Sequence, residues 1–280
     1  MTGRAIRHVA VVVPAHNEEE ELGPALSAIR HAADALSAGN LHPEVLGAEA
    51  RSAEASAAEA SAAEALTAQG TQVSVSITVV LDSCTDGSRD IVNAHASADA
   101  RVRMLETRAR STGASRGAGV MAALAGLDTG RRTDPDTVWL ANTDADSSVP
   151  TNWLIRQVEL ANAGVDVVLG SVEPDARTAD PGILRRWLEL HPFREDHPHI
   201  YGANFGVRAS AYLAVGGFPK LQAHEDRILA TRLSRQGFLI RSTDTNRVVT
   251  SSRTTARAPQ GFATYLRALG ELAPVTADIA

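Results

Sequence analysis

The apolar run Thr137-Val138-Trp139-Leu140-Ala141 leads into Asn142-Thr143-Asp144-Ala145-Asp146, which sets two carboxylates one residue apart where a strand should end. Hard oxygen ligands there suit Mg²⁺ or Mn²⁺, which take one or two carboxylates and complete their shell with water and substrate phosphates. Asp-x-Asp is also common in turns, where both side chains are simply solvated, so the pair has to be weighed with its neighbours.

Those neighbours depend on the elements that carry them. Apolar runs bounded by turn residues recur at His8–Val13, Val75–Leu81, Val102–Leu105, Thr137–Ala141 and Val165–Gly170, with helix-compatible stretches between. Alternation of that kind predicts an α/β fold, a mostly parallel Rossmann-like sheet flanked by helices. Ligands bind such sheets beyond the C-terminal strand ends. The stretches to read are therefore Pro14–Glu18, Asp82–Ser88, Arg108–Gly119, Asn142–Asp146 and Ser171–Asp175. The last third carries Gly202–Arg208, a helix-like Glu225–Gln236 and the apolar runs Phe238–Ile240 and Arg247–Thr250. It is expected to complete the sheet and supply a second-substrate surface.

With 280 residues and 44% hydrophobic content, the chain has enough apolar material for one large domain. We expect that domain to span residues 1–255, followed by a C-terminal helical tail over 256–280. An Ala/Ser/Glu-rich insertion at 43–72 interrupts it. Within the insertion Ser52–Ala65 repeats every five residues and has no apolar face, so a semi-rigid helical spacer or a disordered excursion is expected. A net charge of -6 with dispersed Lys and Arg argues against nucleic acid as a partner. Cys84 is the single cysteine, which excludes an intramolecular disulfide and suits a reducing, cytoplasmic setting. The apolar stretch Val9–Val13 is too short for a signal or a membrane span. Peripheral membrane contact and a homodimer are left open.

After the first run, Pro14-Ala15-His16-Asn17-Glu18 either opens a helix with acidic residues that complement its dipole or forms a turn that receives a nucleoside. After the second, Asp82 stands where a carboxylate accepts from a base N–H or a ribose hydroxyl, while Ser83 or Thr85 can cap a helix. The small residues of Thr112–Gly119, ahead of a helical Val120–Leu127, allow either close backbone approach to a ligand or tight helix–strand packing, and Arg116 among them can meet a phosphate. Neither a P-loop nor a Rossmann fingerprint is present. His191, His197 and His199 lie among prolines that break metal-ligand spacing; with Trp187 and Tyr201 they read better as an acceptor-side loop.

Taken in order, VVVPAHNEEE, VVLDSCTDGS, GASRGAG, NTDADS, the segment Tyr201–Arg208, the turn Val215–Pro219 and His224-Glu225-Asp226 resemble the family 2 glycosyltransferases of the GT-A fold, over roughly residues 8–255. The resemblance implies a metal-dependent transferase taking a sugar from a nucleotide-diphosphate sugar donor to an acceptor that stays unknown. It implies Pro14, Ala15, Glu18, Asp82, Arg116, Asp144, Asn204, Glu225 and Arg253 as substrate contacts. Asp144 and Asp146 would hold a divalent metal (Mg²⁺ or Mn²⁺), and Asp226 would be the general base of an inverting displacement. A charged first turn on a helix is the plain alternative for Glu225-Asp226. Two departures stand out: no histidine follows His224 to complete a metal shell, Arg253 standing near that place, and Thr112 replaces a common lysine. A retaining outcome stays open. So do a sugar-1-phosphate nucleotidyltransferase, although the loop after the first strand lacks its glycines and arginines, and a non-catalytic nucleotide-sugar binding protein.

Overall fold

The computed structural model describes residues 4–39, 72–127, 133–255 and 261–271; the Ser52–Ala65 repeat lies outside them. Eight strands form one sheet in the order β3-β2-β1-β4-β7-β6-β8-β5. They are β1 (His8–Ala15), β2 (Ser74–Asp82), β3 (Val102–Thr107), β4 (Val138–Asn142), β5 (Ser147–Ser148), β6 (Val167–Pro174), β7 (Phe205–Arg208) and β8 (Ile240–Thr250). The helices are α1 (Leu22–Ser37), α2 (Ser88–Ala98), α3 (Thr112–Leu127), α4 (Trp153–Asn162), α5 (Pro181–Leu190), α6 (Ala209–Ala214), α7 (Glu225–Arg235) and α8 (Phe262–Glu271).

After His8, strand β1 is apolar to its end because both its faces are covered. Val9, Val11 and Val13 join the core under α1 and α4, whereas Ala10 and Val12 join the opposite core under α3, α6 and α7. Its parallel pairings with β2 and β4 bring Pro14–Ala15, Asp82 and Asn142 to one edge of the sheet. The strand ends named from the sequence therefore converge.

The last third completes the sheet, with two features that simple strand–helix alternation does not foresee. Strand β7 runs antiparallel between β4 and β6, and the runs around residues 240 and 250 are one strand, β8, paired in parallel with β6 across a register shift. Helix α3 also begins at Thr112 and takes in the whole small-residue run. The reason is packing. A Cβ on Gly119 would come within 2.6 Å of Val12 and 2.7 Å of Val80, and one on Gly113 within 2.1 Å of the Pro219 carbonyl. Of the two readings of these glycines, close packing of helix on sheet is the one observed.

Candidate active site

A cleft of about 1000 Å³ opens at the C-terminal ends of β1, β2 and β4 and runs to α5, α7 and α8. Among the described residues five non-glycines have positive φ, and Asn17 (56°), Ser83 (56°), Arg110 (47°) and His224 (64°) all line this cleft; Asp196 is the fifth. Left-handed backbone costs on the order of 1 kcal/mol per residue. Its concentration here marks loops held in set shapes by their surroundings.

Asp82 organises the loops at the end of β2. Its Oδ1 accepts from the Arg110 N–H at 3.0 Å and the Ser83 hydroxyl at 3.2 Å, its Oδ2 from the Ser111 N–H at 3.1 Å and the Ser115 hydroxyl at 2.8 Å. Those four bonds use the usual capacity of a carboxylate. Burial works to raise its pKa, yet the bonds from Arg110, Ser115, Ser111 and Ser83 hold it below the ordinary value. The β1 and β2 loops are laced together beside it. Asn17 Oδ1 accepts from Thr85 N–H at 2.8 Å, and Glu19 accepts from Gly87 N–H at 2.7 Å. Helix α1 starts only at Leu22 with no acidic residue in its first turn, so Glu19 serves the N-terminus of α2 instead. Neither Ser83 nor Thr85 caps α2; Asp86 accepts from the Ser88 N–H at 3.1 Å.

Two arginines partner the Asp144/Asp146 pair. Arg116, 1% exposed, pairs with Asp144, donates to Glu225 Oε1 at 3.2 Å and donates to the Gly202 carbonyl at 2.8 Å. Burial opposes its charge, but the carboxylates of Asp144, Glu225 and Asp226 keep its pKa above the ordinary value. Arg253 forks onto Glu18 at 2.7 and 2.8 Å and reaches Asp146 Oδ2 at 2.9 Å. Burial raises the Asp146 pKa to about 7, with Arg253 pulling it down and Asp144 and Glu18 pushing it up. The pairing of β5 with β8 sets Ser147 opposite Thr250, which fixes the backbones carrying Asp146 and Arg253 side by side.

Within the acidic pair that opens α7, the two side chains divide. Glu225 is buried against Arg116, whereas Asp226 is half-buried, lines the cleft and accepts the Arg227 N–H at 2.7 Å. The same cleft carries a ring-lined wall. His191 stacks on Trp187 at 3.7 Å and 11°, Tyr265 meets Trp187 edge-on at 5.8 Å, and His199 sits 4.5 Å from His191 and 5.9 Å from Tyr201. Burial, then the neighbouring His191, His197, Arg194 and Arg227, lowers the His199 pKa to about 4, so its ring is neutral at pH 7.

Pro14, Ala15, Glu18, Asp82, Arg116, Asp144, Asp146, Glu225, Asp226 and Arg253 all line this cleft. Asn204 does not. Fully buried, it donates to the carbonyls of Ser171 at 2.9 Å and Asn246 at 3.0 Å and accepts from Trp153 Nε1 at 2.9 Å, tying β6, β8 and α4 together. Its amide is spent inside the sheet, which corrects the expectation of a substrate contact. Of the Ser171–Asp175 stretch only Val172, itself within β6, lines the cleft. Sequence reasoning missed the clamp on Asp82 by Arg110, Ser111 and Ser115, and missed Phe262 and Tyr265 of α8. The clamp is built from backbone N–H groups and serines that leave no pattern, and α8 reaches the cleft by packing Leu266 and Leu269 around Trp187. Among the described residues no three His, Cys, Asp or Glu side chains form a metal-holding group, and no helix is long and apolar enough to cross a membrane.

A family model described as Glycosyl transferase family 2 matches residues 60–212. No curated protein matches the chain in sequence. Among solved structures, the mannosyltransferase PcManGT from Pyrobaculum calidifontis in complex with GDP-Man and Mn²⁺ is similar with a TM-score of 0.55 at 17% identity, over 95% of this chain and 61% of that one. TarS 1–349 of S. aureus in complex with UDP is similar with a TM-score of 0.53 at 12% identity, over 88% of this chain and 61% of that one. GalNAc-T7 with UDP, GalNAc and Mn²⁺ gives a TM-score of 0.53 at 11% identity, over 88% of this chain and 44% of that one. The chain therefore spans about three fifths or less of the length of these structures, and at such identities the likeness is one of fold.

Proposed function

The chain belongs to glycosyl transferase family 2, and from that premise we propose that it moves a sugar from a nucleotide-diphosphate sugar to an acceptor hydroxyl, with inversion at the anomeric carbon. One observation carries the reading. The Asp144/Asp146 pair and a separate, half-buried Asp226 line one cleft, while Glu225 is consumed by Arg116.

Asp226 takes the proton of the acceptor hydroxyl as its oxygen forms the new bond to the anomeric carbon. The bond from that carbon to the diphosphate oxygen breaks, and the diphosphate departs with the electron pair. The ring wall of Trp187, His191, Tyr201 and Tyr265 seats the acceptor beside Asp226. Pro14, Ala15 and Glu18 border the nucleoside. Asp82 shapes the same pocket by fixing Arg110, Ser111 and Ser115 at the start of α3, and contacts the base once the Ser83 hydroxyl yields its place.

A divalent cation, Mg²⁺ or Mn²⁺, fits this chain by charge. Glu18, Asp144, Asp146 and Glu225 place four carboxylates against the two guanidiniums of Arg116 and Arg253. Asp146, with Asp144, would hold the metal, and donor phosphates and water would complete its shell. Bound there, such an ion would supply charge neutralisation for the leaving diphosphate. Assaying hydrolysis of UDP-, GDP- and dTDP-sugars with Mn²⁺ and with chelator tests the reading; turnover of none of them would contradict it.

A further inference from the structure

Arg253 holds two carboxylates at once. Its two terminal nitrogens each give one hydrogen to Glu18, at 2.8 and 2.7 Å, and Nη2 also lies 2.9 Å from Asp146 Oδ2. A terminal guanidinium nitrogen carries two hydrogens, so the fork on Glu18 leaves one to spare on each. The contact with Asp146 is therefore separable from the contact with Glu18. On its other oxygen, Asp146 Oδ1 meets only the hydroxyls of Ser147 and Thr250, both at 3.5 Å, beyond good hydrogen-bond geometry. Arg253 is the one close cationic partner of Asp146 among the described residues.

We propose that Arg253 is an exchangeable counter-ion. It pairs with Asp146 in the donor-free protein, and when donor and metal arrive it gives up that ion pair and turns its spare Nη2 hydrogen to the diphosphate, with Glu18 as the fixed pivot. The inference rests on the metal and diphosphate reading given above and adds an order to it. Metal alone must displace an ion pair whose carboxylates are 7% and 13% exposed. Metal together with diphosphate gives Arg253 a new anionic partner, so the two ligands strengthen each other's binding, and linkage makes that reciprocal. The fork also explains why an arginine suits this position and a lysine would not, since a single ammonium cannot grip Glu18 edge-on and still present a second directed hydrogen.

The test is Mn²⁺ affinity, read from the electron paramagnetic resonance of free Mn²⁺, with and without UDP or GDP. The proteins compared are the wild type, Arg253→Gln and the double variant Glu18→Gln/Arg253→Gln. The double variant leaves the site's net charge unchanged and removes the Glu18 carboxylate that Arg253→Gln alone would strand, which covers the case in which the single variant folds poorly. Without nucleotide, both variants should bind Mn²⁺ about tenfold more tightly than wild type or better. The factor by which nucleotide enhances Mn²⁺ binding should shrink severalfold in both. Mn²⁺ affinity equal to or weaker than wild type in the double variant would overturn the exchange while leaving the metal reading intact. Wild type that binds no Mn²⁺ even with nucleotide would overturn both.

Discussion

The two ends of the cleft are built in opposite ways. At the nucleoside and diphosphate end, three parallel strand ends deliver Asp82, Glu18, Asp144 and Asp146, and every one of these carboxylates has a named partner: backbone N–H groups and serines for Asp82, Arg253 for Glu18 and Asp146, Arg116 for Asp144. At the acceptor end, α5, α8 and the loop after α5 supply packed rings, and α7 supplies a half-buried carboxylate that accepts one backbone N–H. The difference separates tasks. A diphosphate demands charges set in advance, and their desolvation is offset only by such pairing, whereas an acceptor can be oriented by ring faces and edges.

The comparison breaks most visibly at Asp226. Asp226→Asn should reduce transfer by roughly two to four orders of magnitude, the usual worth of positioned acid–base catalysis, with donor affinity nearly unchanged. Separate measurements of donor binding and transfer rate decide it. Near-wild-type transfer would remove Asp226 as base and leave it a charged first turn on α7.

Arg116 joins the two ends through Asp144 and Glu225, and its loss should fall on the fold. Arg116→Met should lower stability by about 3–5 kcal/mol, because Glu225 is left buried without its partner. Urea denaturation reads this, and a variant within about 0.5 kcal/mol of wild type would show that the network is dispensable.

A smaller effect sharpens the contrast from the acceptor side. Tyr265, edge-on to Trp187 and His191, should when changed to Ala raise the acceptor KM by about tenfold at most, in keeping with a ring contact of 0.5–1.5 kcal/mol, and leave nucleotide affinity alone. Weakened nucleotide binding in this variant would show that the two ends are not independent.

Much of the donor end was legible in the sequence because it rests on local patterns. A strand that alternates Val9, Val11 and Val13 to one core and Ala10 and Val12 to the other announces a doubly covered sheet, and the residues following such strands are the ones to read. The pairing of Glu18 with Arg253 spans almost the whole chain, and no spacing rule connects them. Asn204, carried over from the family resemblance, misled because the antiparallel insertion of β7 beside it places its amide in the sheet interior. The glycines of α3 looked like a loop for the converse reason: packing against Val12, Val80 and Pro219 needs small residues inside a helix. Tyr265 had no local signal at all.

Nucleotide binding by Asp146→Ala, measured by calorimetry with Mn²⁺ and with chelator across a range of pH, tests the account most directly. Burial raises the folded-state pKa of Asp146 to about 7, so below that value a proton competes with the metal, and the ionised carboxylate becomes available only as pH rises through it. Wild-type affinity for a nucleoside diphosphate with Mn²⁺ should climb through about pH 7 and fall on chelation, and Asp146→Ala should lose both the metal-dependent affinity and the pH step. Equal affinity in the variant and the wild type, with or without chelator, would contradict it.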